Sequence, residues 1–117
     1  MFTARILGAA ALALGLIATG PVHAQAKERA PVVKVLLENN KVIVTESTFL
    51  PGDVSRRDRK ARTNYILTDG KLERTAKDGK KTAYERKAGT AHYLEADSDV
   101  VKNVGKSTYV VIGVTYK

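Results

Sequence analysis

Phe49-Leu50-Pro51-Gly52-Asp53-Val54-Ser55-Arg56-Arg57-Asp58-Arg59-Lys60-Ala61-Arg62-Thr63-Asn64-Tyr65-Ile66-Leu67-Thr68-Asp69-Gly70 carries a strand end, a basic loop and a second strand in one run. Leu50-Pro51-Gly52-Asp53 ends a strand, because Pro fixes φ and Gly enters a left-handed conformation cheaply. Asn64-Tyr65-Ile66-Leu67 starts another, and Asp69-Gly70 predicts a hairpin turn after it. Between them runs a basic loop holding Arg56, Arg57, Arg59, Lys60 and Arg62, with Asp58 inside it to fold it back on itself. Loops held between strands are where small β-domains place working groups, and these groups are cationic.

Outward from this stretch, the pattern stays β. Upstream, Val32–Leu37 is β-branched and apolar and ends at Glu38-Asn39-Asn40. Lys41–Leu50 alternates, with Ile43, Thr45, Ser47 and Phe49 on one face and Val42, Val44 and Leu50 on the other. Downstream, Lys71–Thr75 and Thr82–Arg86 flank the Asp78-Gly79 turn. Lys87-Ala88-Gly89 then breaks the chain before Thr90–Glu95. Val100–Val104 and Ser107–Tyr116 follow, and the last of these is the clearest alternation in the chain. No stretch after the first segment keeps helical periodicity for three turns. Eight or so short strands, with turn residues about every ten positions, predict an all-β sandwich or barrel.

The first segment reads differently. Met1–Arg5 is a short basic start, Ile6–Ala18 is apolar, and Thr19-Gly20-Pro21 breaks the run. Val22-His23-Ala24 then offers small residues at a cleavage site. This is the three-part pattern of a secretory signal peptide over 1–24, cleaved after Ala24 or Ala26. A run of roughly 13 to 19 uncharged residues is at or below the length needed to span a bilayer. Residues 25–31 are expected as a flexible lead-in to a domain over 32–117, and the destination as periplasmic or secreted. Without 1–24 the chain carries 19 Lys+Arg against 12 Asp+Glu, or +7 over 93 residues. No cysteine is present, so stability rests on the core. This charge suits an anionic small molecule or an envelope surface; few aromatics and no recognition motif argue against nucleic acid.

The order of the turns resembles that of small cupin domains. Val42–Asp53, with its Pro-Gly-acidic turn, is similar to the opening of the first cupin motif, and Tyr65–Leu72 to its end. Lys87-Ala88-Gly89 and Val100–Gly105 are similar to the bounds of the second motif, and Val110–Val114 to the last strand. The resemblance implies a double-stranded β-helix barrel of jelly-roll type. It implies nothing specific about activity, because such barrels host many chemistries.

The departures from that family matter for chemistry. Counted from Gly52, the two histidine positions of the first motif hold Asp58 and Lys60, and the glutamate position falls near Arg62 or Thr63. The second motif's histidine position holds Asp99. A fixed ammonium at a ligand position opposes a metal, so no metal or other cofactor is expected. His92 is the only histidine left after signal removal and could form a residual acid–base site with Asp58 and Asp99. Asp97 and Asp99 fall short of a calcium loop. No phosphate loop or nucleophile motif is present. Three readings follow. The first is a non-catalytic module binding anions through Arg56, Arg57, Arg59, Lys60 and Arg62. The second is an enzyme with a residual site at Asp58, His92 and Asp99, and the third is a structural partner that pairs as a homodimer.

Overall fold

The computed structural model describes residues 27–117. The expected signal peptide over 1–24 lies outside the described residues. Nine strands form: β1 (Val32–Glu38), β2 (Val42–Phe49), β3 (Val54–Ser55), β4 (Arg62–Ile66), β5 (Gly70–Thr75), β6 (Lys81–Arg86), β7 (Ala91–Leu94), β8 (Val100–Asn103) and β9 (Tyr109–Tyr116). They build two antiparallel sheets, one ordered β1-β2-β9-β4-β7 and the other β3-β8-β5-β6. All strand pairs are antiparallel, and strands adjacent in sequence repeatedly change sheet. The expected all-β barrel forms.

The pleat alternates as the sequence predicts. Phe49 pairs with Tyr109 and Ser47 with Val111, so the inner residues of β2 and β9 lie side by side. The core is Phe49, Ile66, Leu72, Val101, Tyr109 and Val111, with Tyr84 packed against it. Burying each large apolar side chain contributes about 1.5–3 kcal/mol. The Phe49 and Tyr109 rings meet tilted, centroids 5.8 Å apart. That geometry suits the aromatic quadrupoles.

Two expectations in the stretch 49–70 are corrected. Asp69-Gly70 is not a hairpin turn: β4 belongs to the first sheet and β5 to the second, so the chain crosses the barrel here. Gly70 is required for another reason. It opens β5 directly against the Tyr109 ring, and a Cβ there would collide with that ring. The basic loop is also shorter than expected. Val54 and Ser55 pair with β8, and Arg62 and Thr63 belong to β4.

The Pro51-Gly52-Asp53 turn forms as predicted, with Gly52 at φ 89°. Asp53 is buried because its carboxylate is used locally: Leu50 N donates to Oδ2 at 2.8 Å and Arg29 Nε to Oδ1 at 2.7 Å. Gly52 N donates to Asn103 O at 2.8 Å, and Asn103 N to Asp53 O at 3.0 Å. The turn is thereby clipped to the end of β8. Asn103, 1 % exposed, completes the clip through its amide, donating to Phe49 O and Ser107 O and accepting from Gly105 N. Of the lead-in, Arg29 also accepts a backbone bond from Val54 at 2.8 Å, which lays this segment along β3.

Candidate functional site

Between the sheets lies an open cavity of about 260 Å³. Alternation determines which side chains reach it. Ile43, Thr45, Ser47 and Phe49 of β2 face it, as do Val111, Gly113 and Thr115 of β9. Gly113 leaves room there: a Cβ would press on Asn64 Oδ1 at 3.2 Å and Thr45 Oγ1 at 3.3 Å. From the opposite sheet come Leu72 and Arg74 of β5, Tyr84 and Arg86 of β6, and Val101 of β8. The basic loop forms the remaining wall.

Six cationic side chains line this cavity: Arg57, Arg59, Lys60, Arg62, Arg74 and Arg86. One acid, Asp58, faces them. The cations expected from the sequence divide into three kinds. Arg56 is outside the cavity, exposed, and forked onto Glu28 at 2.6 and 2.9 Å. Arg57 and Lys60 are exposed at the mouth. Arg59 and Arg62 are drawn into the wall and bound to Asp97. Arg59 Nη1 donates to Asp97 Oδ1 at 3.0 Å, and Arg62 Nη2 donates to Oδ2 at 3.0 Å. Arg59 and Asp97 also exchange backbone bonds of 2.8 and 3.0 Å. Arg62 donates further to Lys60 O and Glu95 O, and Arg59 to Asp99 O and Ser55 Oγ.

Asp97, and not Asp58, folds the basic loop onto the barrel. Burial alone would raise the Asp97 pKa. The Arg62 hydrogen bond and charge, the Asp99 amide and the Arg59 charge outweigh it and hold the carboxyl below its ordinary value. Burial lowers the Arg59 pKa, and the neighbouring charge of Arg62 lowers it further against the pull of Asp97. A guanidinium remains charged through such a shift.

The residual acid–base set does not assemble. Asp58 lines the cavity, and Asp99 lies beside Arg74, its Oδ2 3.8 Å from Nε. His92 is on β7 opposite Asn64, with Nε2 3.0 Å from the Thr90 hydroxyl. Its pKa is lowered by desolvation and then by the charge of Arg86. A carboxylate partner would act in the opposite direction. Thr63 points away from the cavity and meets the Tyr116 hydroxyl at 2.7 Å.

Sequence reasoning missed Arg74, Arg86 and Tyr84. The signal was present in two-residue spacing: Arg74 shares a face with core Leu72, and Arg86 shares one with Tyr84. An arginine in register with core residues of a half-buried strand points inward.

By sequence, neither a family profile nor a curated protein matches the chain. Solved structures do match. A cupin domain from Bordetella pertussis Tohama I is similar at a TM-score of 0.70 and 21 % identity, covering 80 % of this chain and 99 % of that one. A conserved protein with a double-stranded β-helix domain from Klebsiella pneumoniae is similar at 0.61 and 19 %, covering 79 % and 81 %. The polyketide cyclase RemF from Streptomyces resistomycificus is similar at 0.58 and 15 %, covering 78 % and 70 %. The fold is therefore the cupin double-stranded β-helix.

The metal set implied by that resemblance does not fit this cavity. Among the described residues no three His, Cys, Asp or Glu side chains converge. A divalent cation would instead face the guanidinium and ammonium groups of the lining, which repel it.

Proposed function

We propose that this cupin-fold chain is an exported, non-catalytic binding module that holds a small anion in its barrel cavity. One observation carries the reading: six cationic side chains and one acid surround a cavity whose remaining walls are largely apolar. Positive charge concentrated in a cleft with low-dielectric walls attracts anions and strengthens charge-assisted hydrogen bonds. The Met1–Ala24 pattern supports export, and the excess of Lys and Arg over the whole chain suits an anionic partner.

Backbone NMR during titration with phosphate, citrate and benzoate tests the reading. Saturable shifts should centre on inward positions of both sheets, such as Ser47 and Gly113 on one and Leu72 and Tyr84 on the other, and weaken with salt. Shifts confined to the Lys77–Lys81 turn, or spread over every lysine, would leave only diffuse surface charge.

A second reading, self-association, is favoured by β1. This strand is the edge of its sheet, and Val32, Val35, Leu36 and Leu37 are all exposed on it. The outer face of the same sheet continues the apolar surface with exposed Tyr65, Tyr93 and Tyr116. A second copy of the chain would cover both an open edge and an apolar face.

A further inference from the structure

Not every cation of the cavity is available to a ligand. Arg59 and Arg62 already have Asp97 as a partner, at 3.0 Å each. Arg57 and Lys60 are exposed at the mouth, where water and salt screen them. Arg74 and Arg86 differ from both groups. Each lies partly buried over the Tyr84 ring, with guanidinium carbons 5.3 and 4.7 Å from its centroid. Neither guanidinium donates a hydrogen bond to any of the described residues. The nearest carboxylate to Arg74 is Asp99, and at 3.8 Å its oxygen is beyond hydrogen-bond length from Nε, which is buried without an acceptor.

We infer that Arg74 and Arg86, held on Tyr84, are the seat of the oxyanion, and that the ligand is a small carboxylate or phosphate ester with an apolar body. This rests on the cavity reading above and assigns the site within it. A ring face orients a guanidinium without neutralising it, and Asp99, 3.8 Å from Arg74 Nε, balances part of that charge without taking a hydrogen bond, so both planar forks stay in place with donors to offer. Such a fork matches a carboxylate or phosphate in two-point contact. The apolar body follows from the apolar lining, where Ile43 and Leu94 stay partly exposed above the buried Phe49, Leu72, Val101 and Val111. A fully hydrated inorganic ion would leave that wall without a partner. The volume of about 260 Å³ is below the roughly 300–1,000 Å³ of common ligand pockets, so the body is small.

Calorimetry with benzoate, phenyl phosphate and inorganic phosphate decides the matter. Benzoate or phenyl phosphate should bind, and the tighter of the two identifies the head group; inorganic phosphate should bind more weakly. Arg74→Lys and Arg86→Lys keep the charge and lose the fork, and each should weaken binding by about tenfold. Tyr84→Leu keeps both arginines and removes their platform, and should also weaken binding; thermal melts show which variants remain folded. Arg57→Ala with Lys60→Ala should change affinity by less than about threefold, as for screened surface charge. Loss of binding in the Arg57/Lys60 double variant, with the Lys and Leu variants unaffected, would place the seat at the mouth and overturn this inference while the cavity reading stands. Inorganic phosphate binding as tightly as phenyl phosphate would overturn the apolar body. No binding of any of the three probes to the unaltered protein would overturn the cavity reading itself.

Discussion

Asp97 and Arg62 are 35 residues apart in the chain and meet at 3.0 Å, Oδ2 to Nη2, in the wall of the barrel. The other oxygen of the same carboxylate takes Arg59 at 3.0 Å. One acid thereby holds two cations that would otherwise repel each other across the cavity wall. The basic loop is a structural clasp on one side and a cavity lining on the other.

Asp97→Asn should therefore destabilise the fold by about 3 kcal/mol, the cost of leaving buried charge without its partner. Urea denaturation measures this through the midpoint. The same variant should bind anions more tightly than the unaltered protein, because Arg59 and Arg62 are then free to attract them. Added phenyl phosphate should recover part of the lost stability. A midpoint that does not move would show that the clasp contributes nothing.

Stability should fall in acid, and Asp97 gives the direction. Its folded pKa is depressed, so its contribution is complete above the unfolded value of about 3.9 and is lost as pH falls from there through the folded value. Thermal melts between pH 6 and pH 2 should show a steeper loss below about pH 4 in the unaltered protein than in Asp97→Asn. Parallel curves would assign the acid slope to other carboxylates.

Gly70 and Gly79 should respond to alanine for different reasons. At Gly79, φ is +89° with nothing within 4 Å of an added Cβ, so the penalty is backbone strain of about 1 kcal/mol. At Gly70 the added methyl meets the Tyr109 ring, which is 4 % exposed and backed by Phe49. Overpacking at such a site costs about 1–3 kcal/mol. Tyr109→Leu should relieve much of it, and a double-mutant cycle in urea would read a coupling at Gly70 that is absent at Gly79.

His92 should report on the cavity. Desolvation and the charge of Arg86 hold its pKa below the ordinary value. An oxyanion seated on Arg86 cancels part of that charge and raises the pKa toward about 6.5. The imidazole proton signals, followed against pH with and without saturating phenyl phosphate, measure this. An unchanged midpoint would mean that the anion does not sit at Arg86.

If β1 is covered by a second copy, Val35→Lys with Leu37→Lys should convert a dimer to a monomer without altering the barrel. Val35 and Leu37 are 57 % and 52 % exposed, so the change carries little cost to the fold. Light scattering reads the mass, and a monomer in the unaltered protein would remove self-association.

Much of the barrel was legible along the chain. Alternation in β2 and β9 gave both faces correctly, because a strand's side-chain period is local and one face must leave water. The turns at Gly52, Gly79 and Gly89 were legible because a positive φ is a requirement of a few residues. The Asp69-Gly70 hairpin was not borne out. A dipeptide specifies a bend and does not say whether the next strand pairs with the last or crosses to another sheet.

The succession of strands along the chain, their in–out alternation and the excess of positive charge were all readable before any fold was known, since each follows from neighbours in the chain or from composition. Which cations act together depends on contacts between distant parts of the chain. Asp97 reaches across 35 and 38 residues to neutralise Arg62 and Arg59, while Tyr84 gathers Arg74 and Arg86 from adjacent strands. Charge interactions depend on distance in space and on burial, and neither can be read from spacing along a loop.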